Sequence, residues 1–116
     1  MPNDIKHRCY RFTISMVKYL RSKNWDVFST ITAKQLMRSA MSVGANVVEA
    51  VNSSSRTEFK RYYEIALKSG NETKYWLCVL RDGFEVKDDE INNLLKECDE
   101  LCKIIASSIL TIKKIK

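Results

Sequence analysis

Residues 42–77 read SVGANVVEAVNSSSRTEFKRYYEIALKSGNETKYWL, and this stretch decides the fold. Leading into it and through its first part, Leu36, Ala40, Val43, Val47 and Ala50 recur at four-three spacing. Phe59, Tyr63, Ala66, Gly70, Thr73, Leu77 and Leu80 do the same in the second part. Such spacing places each set on one stripe of a helix. The turn between them, around Asn52 to Ser55, is too short for anything but an antiparallel hairpin.

Two capping-box patterns mark the starts of these helices. Thr32 with Gln35 predicts a start near Ala33 and an end at about Asn52. Ser55 with Glu58 predicts a start at about Arg56 and an end at about Arg81. Beside the first stripe runs a second, Met37, Met41, Gly44, Val48 and Val51. Small residues crowd the middle of this helix (Ser39, Ala40, Ser42, Gly44, Ala45), so a neighbouring helix can approach closely. The opposite side carries Gln35, Ser42, Asn46, Glu49 and Ser53 in one line. Asn46 and Glu49 either hydrogen-bond to a neighbouring helix or loop, or simply face solvent. On the next helix, Ile65, Ser69, Glu72, Trp76 and Val79 form a line away from the main stripe. Glu72 lies there among apolar neighbours. No second catalytic group is placed near it by sequence, so a structural role is preferred to acid–base work.

Upstream, Asn3 or Asp4 can cap a helix running to about Ser22. Ile5, Cys9, Phe12, Met16 and Tyr19 form its core stripe, with Leu20 beside it. Tyr10, Ile14 and Val17 form a second stripe well round the cylinder. A bundle helix in a monomer needs only one, so the second either faces another subunit or is scattered exposed apolar surface. Arg11, Lys18 and Arg21 align between the stripes, as a solvated face or as a phosphate-binding one. The connection KNWDVFSTI, residues 23–31, is apolar at Trp25, Val27, Phe28 and Ile31. It is expected to fold over one end of the bundle as a lid; the other reading is an exposed binding loop.

Downstream, Gly83 fits the end of the third helix, and Phe84 can tuck back onto the core. Asp88 and Asp89 favour a new helix start. Ile91, Leu94, Leu95, Cys98, Leu101, Cys102, Ile105, Ile109 and Ile112 then make a long core stripe. Lys113, Lys114 and Lys116 close the chain, as cations suited to a helix C-terminus or as loose phosphate contacts.

The whole reads as one domain over residues 1–116, an all-α antiparallel up-down-up-down four-helix bundle. A length of 116 residues and 45% hydrophobic content suffice for one core. Three Gly and one Pro supply little turn chemistry, which argues against many short strands. The formal net charge of +6 biases the chain toward anionic partners without naming one. No stretch approaches the ~20 apolar residues of a membrane span, and MPNDIKHRCYRF lacks the apolar run of a signal peptide, so a cytoplasmic location is expected. The cysteines are Cys9, Cys78, Cys98 and Cys102; three sit within apolar helical patterns, so buried free thiols are preferred to disulfides. Cys98 and Cys102 are one turn apart, but His7 is the only histidine and no second pair has finger-type spacing. No metal and no cofactor are therefore expected.

RSAMSVGANVVEA followed by EFKRYYEIALKSGNET resembles the signature of the bacterial four-helix-bundle family named for 23S rRNA intervening-sequence proteins. That family shows a Ser-Ile-Pro-Ala-Asn-Ile-Ala-Glu-Gly run and, one helix later, Ala-Leu-Gly-Ser-x-x-Glu. Ser42, Ala45, Asn46 and Glu49 match the first run, and Ala66, Leu67, Ser69 and Glu72 the second. Gln35, Leu36, Arg38 and Ala40 fit the stretch before. Gly44, Ala50 and Lys68 depart from it, standing for the proline, the last glycine and the glycine before the serine. The resemblance implies a bundle that assembles into a ring, a homopentamer, and does not imply an enzyme. It makes Ser42, Asn46, Glu49, Ser69 and Glu72 structural or interface residues. A sister group, the accessory variability determinant of diversity-generating retroelements, associates with a reverse transcriptase and RNA.

Three functions compete on this reading. The first is an oligomeric factor associated with RNA or DNA, or a scaffold, with Arg11, Lys18, Arg21, Arg56, Lys60, Arg61 and Lys68 as candidate phosphate contacts. The second is an accessory subunit for a protein such as a reverse transcriptase, using the second stripes and Trp25 or Trp76. The third is an enzyme, for which the sequence offers no Gly-rich phosphate loop, metal cluster or nucleophile with a base.

Overall fold

A computed structural model describes residues 2–114, and side chains over 5–113. Four helices follow one another: α1 (Pro2–Arg21), α2 (Val27–Val51), α3 (Arg56–Gly83) and α4 (Asp89–Lys114). No strand occurs among the described residues. The connections at 22–26, 52–55 and 84–88 are short, so consecutive helices run antiparallel. α1 packs on α2 and α4, and α3 packs on the same two. α1 and α3 therefore stand at opposite corners of a bundle measuring 49 × 22 × 20 Å. This is the four-helix architecture expected from the stripes.

The stripes meet at the axis. Cys9, Phe12, Met16 and Tyr19 from α1 are buried, as are Leu36, Ala40, Val43, Val47 and Ala50 from α2. Tyr63, Ala66, Leu77 and Leu80 from α3 and Ile91, Cys98, Leu101 and Ile105 from α4 complete the core. Their burial removes apolar area from water at roughly 25 cal/mol per Å2, the main force holding the helices together.

Two glycines set the closest approaches. A Cβ on Gly44 would stand 3.2 Å from Thr13 Oγ1 and 3.5 Å from Cys9 Cβ, so α1 lies hard against α2 there. A Cβ on Gly70 would stand 2.5 Å from Cys102 Sγ, which brings α3 equally close to α4. Near the same point the Cys98 thiol donates to the Gly70 carbonyl at 3.4 Å.

Several ends differ from the sequence reading. α1 begins at Pro2, so Asn3 and Asp4 fall inside its first turn and do not cap it; their side chains lie outside the described residues. α2 starts at Val27, not near Ala33, because Asp26 and Ser29 form a reciprocal capping box. The Ser29 amide donates to Asp26 Oδ1 at 2.8 Å, and the Asp26 amide donates to Ser29 Oγ at 3.1 Å. Thr32 is consequently a buried mid-helix residue. The expected apolar lid is therefore not formed by Val27, Phe28 and Ile31, which are 72%, 69% and 62% exposed. Trp25 alone behaves as expected: it packs on the core, and its Nε1–H donates to the Leu20 carbonyl at 3.0 Å.

Ser55 caps α3 as expected, accepting from the Glu58 amide at 3.1 Å. The Glu58 carboxylate reaches Ser54 instead of closing the box on Ser55. Gly83 ends α3 without a positive φ; the left-handed residue is Glu85 at φ 58°. Phe84 packs against the core as expected. Asp88 Oδ1 accepts from the Ile91 amide at 2.9 Å and so opens α4.

Candidate functional site

The motif residues of the central hairpin gather along the seam between α2 and α3. Ser42 and Ser69 share a hydrogen bond of 2.8 Å across the seam. Asn46 Nδ2 donates to the Ser42 carbonyl at 2.8 Å and to its hydroxyl at 3.0 Å. One turn away the seam is fully buried. There Thr73 Oγ1 lies 2.9 Å from Ser39 Oγ and 2.8 Å from the Ser69 carbonyl, and Ser39 donates to the Leu36 carbonyl at 3.2 Å. Small hydroxyl residues let the two helices close up while every buried polar atom keeps a partner. No buried side-chain N or O is orphaned among the described residues.

Toward solvent the seam ends in a charged cluster. The Glu72 carboxylate accepts from Arg38 Nη2 at 2.5 Å and from Trp76 Nε1 at 2.9 Å. Arg38 also donates to Gln35 Oε1 at 3.2 and 3.0 Å. Glu72 is thus engaged by an arginine and an indole on its own chain. Glu49 is exposed and makes no side-chain hydrogen bond among the described residues. The serines here bond to one another, to Asn46, to Thr73 and to backbone; none is hydrogen-bonded to an imidazole or a lysine among the described residues. Arg38 is the partner that sequence reasoning missed, because only the hairpin register brings it to a residue 34 positions away.

The basic candidates fall on two helices at opposite corners of the bundle. Arg11, Lys18 and Arg21 are exposed on α1. Arg11 lines a groove of about 430 Å3 against α4, together with Ser15, Glu90, Asn93 and Glu97. Arg56, Arg61 and Lys68 are exposed on α3, and Lys60 is half-buried and paired with Glu64 at 3.1 Å. The Arg61 guanidinium lies over the Tyr62 ring, 4.6 Å from its centroid. Several other cations are tied down. Arg8 bridges Glu97 at 2.6 Å and Glu100 at 3.0 Å, Lys74 bridges Asp99 at 3.2 Å, and Lys23 bridges Asp88 at 2.6 Å.

The second apolar stripes are only partly exposed: Ile14, Val17, Met37, Gly44 and Val48 are half-buried. Tyr10 is 66% exposed, and Met41 and Val51 are 46% and 44% exposed. Tyr10, Met41, Gly44 and Val48 line an open apolar groove of about 450 Å3 between α1 and α2, with Lys6 and His7 at its rim. Val27, Phe28 and Ile31 make a second bare patch where α2 begins.

The cysteines are free thiols. Burial pushes Cys9 up to about 12, and the neighbouring Cys102 sulfur, with burial, raises Cys98 as well. No group of three His, Cys, Asp or Glu among the described residues is arranged to hold a metal ion. Among the described residues no helix is long and apolar enough to cross a membrane.

The model of the 23S rRNA-intervening sequence protein family matches residues 3–107. The chain belongs to that family. The match spans all four helices, including the α2–α3 seam and the basic rows. A crystal structure of a protein of unknown function from Bacteroides thetaiotaomicron, assigned to the S23 ribosomal protein family, is similar at 29% identity and TM-score 0.80. The similarity covers 90% of this chain and 97% of that one. No curated protein matches the chain.

Proposed function

We propose that this member of the family is a non-enzymatic, oligomeric bundle protein that associates with RNA through its basic helix faces. The observation that carries the reading is the distribution of unpaired charge. Arg8, Lys23, Lys60, Lys74 and Arg81 each have a carboxylate partner. Arg11, Lys18, Arg21, Arg56, Arg61 and Lys68 have none among the described residues, and all are exposed; Lys34, Lys87, Lys96 and Lys113 are exposed without one as well, so free positive charge is spread over the bundle and is densest on α1 and α3. Exposed cations without a carboxylate partner are free to bind phosphates and release the counterions around them. The family's description, which names 23S rRNA, agrees with such a partner.

Assembly multiplies the effect. The groove beside Tyr10 and the bare patch at Val27, Phe28 and Ile31 are the surfaces this reading assigns to contacts between copies. A ring, a pentamer by the family resemblance, would carry several times the +6 of one chain. Without a base-reading motif, binding is weakly sequence-specific and steeply salt-dependent. Light scattering with and without a structured RNA tests this. A ring-sized mass that grows with RNA at low salt and loses the gain at high salt supports it; a mass indifferent to RNA sinks it.

A second reading rests on the same bare patch. An exposed phenylalanine beside two β-branched residues also fits a protein partner, such as a reverse transcriptase served by an accessory bundle. Co-purification with a purified reverse transcriptase, abolished by Phe28→Asp, would favour it.

A further inference from the structure

We propose that the outer face of α3 is a track for single-stranded nucleic acid, with Tyr75 as the platform on which a base stacks and Lys68 and Arg61 as the phosphate contacts. The inference rests on the nucleic-acid reading above and adds to it the strand class and an aromatic contact.

Arg61, Lys68 and Tyr75 are spaced seven residues apart, two helical turns each, so they stand in one row along α3. All three are exposed, Tyr75 at 61%. The carboxylates that border Lys68 and Tyr75 are already engaged. Glu64 is held by Lys60, Glu72 by Arg38 and Asp82 by Arg81. Around Lys68 and Tyr75 what remains free is positive charge and one aromatic ring; Glu58, one turn before Arg61, is exposed, its carboxylate bonds only to Ser54, and it bounds the row at its other end. Asp82, paired with Arg81, is the next residue of the row, so the row offers no free cation beyond Tyr75.

The ring is held in place. Trp76 meets it edge-on, with centroids 5.0 Å apart and planes at 70°. Trp76 is fixed in turn by its hydrogen bond to Glu72. A braced ring with free solvent access loses little freedom when a base covers it. At the other end of the row, the Arg61 guanidinium lies over Tyr62, so its planar fork is pre-arranged as well. Aromatic rings interleaved with cations are how proteins hold single strands, because every base has a face to stack and duplex bases do not.

The test is fluorescence anisotropy at low salt on the full chain, with a labelled oligoadenylate of about 12 nucleotides and an RNA duplex of the same length. Tyr75→Ala is expected to weaken oligoadenylate binding about tenfold, the scale of one lost base stack, and to leave duplex binding unchanged. Tyr75→Phe keeps the affinity, since the face and not the hydroxyl does the work. Arg61→Gln with Lys68→Gln weakens both ligands and flattens the salt dependence. Oligoadenylate binding untouched by Tyr75→Ala, or an equal loss for the duplex, overturns the inference and leaves the parent reading standing. A wild-type chain that binds neither ligand overturns both. Circular dichroism checks that each variant is folded, and the exposure of Tyr75 makes that the expected result.

Discussion

Gly70 on α3 and Cys102 on α4 touch so closely that the sulfur occupies the space a Cβ would need: that carbon would lie 2.5 Å from Cys102 Sγ. The glycine is there for room, not for a left-handed turn, since no glycine has a positive φ. Gly70→Ala should therefore destabilise the bundle by about 1–3 kcal/mol, despite alanine being the better helix former. Adding Cys102→Ala should restore part of that loss. Urea unfolding of the four members of this cycle measures it; equal stability of Gly70→Ala and wild type would rule out the tight contact.

Gly44 is the matching point between α1 and α2. Its neighbour is the Thr13 hydroxyl at 3.2 Å from the missing carbon, part of a side chain tied to the Cys9 carbonyl at 2.9 Å. Gly44→Leu should push the two helices apart and lower stability by about 1–3 kcal/mol. Because Gly44 also lines the apolar groove, the same variant should shift the solution mass toward monomer. An unchanged melting temperature together with an unchanged mass would argue against both statements.

The α2–α3 seam allows buried and exposed polar contacts to be compared. Thr73→Val removes a buried hydroxyl and leaves Ser39 short of a partner, at an expected cost of about 1–2 kcal/mol. Arg38→Ala breaks an ion pair whose arginine is largely in water, and should cost less than about 1 kcal/mol. The order of the two effects in chemical denaturation is the check.

Asp88 gathers three partners at the start of α4. Burial works against its carboxylate, but Lys23, the Ile91 amide and the Tyr19 hydroxyl outweigh it and hold its pKa below the usual carboxylate range. A lowered pKa in the folded state means the stabilisation is fully present above the unfolded carboxylate range and is lost as pH falls through the folded value. Asp88→Ala should cost about 1 kcal/mol at neutral pH, the scale of a lost helix cap. The gap to wild type should close in acid, and a melting-temperature series across that range measures it.

The bare patch at Val27, Phe28 and Ile31 shows where local reading failed. Thr32 with Gln35 satisfies the capping pattern; Asp26 with Ser29, six residues earlier, departs from it, with serine where Glu or Gln is usual, and yet forms the box. The earlier box won because Asp26 accepts from the Ser29 amide while Ser29 accepts from the Asp26 amide, which settles donors at both positions. Once that box forms, the apolar residues after it are carried round the helix to the outside. The Arg11, Lys18 and Arg21 row was legible from spacing alone, because positions on one helix need no tertiary information. Tyr75 carried a signal of the same kind, its seven-residue step from Lys68.

By itself the sequence determined the four helices, the faces they bury and the hairpin at the centre. Hydrophobic period and turn length are local properties, and they are sufficient for that. The tertiary structure decided which residues meet: Ser39 with Thr73, Arg38 with Glu72 and Gly70 with Cys102. A periodic stripe says which way a side chain points but not how far one helix has slid along another. That register is settled only when the small and large side chains of both helices interlock at close packing.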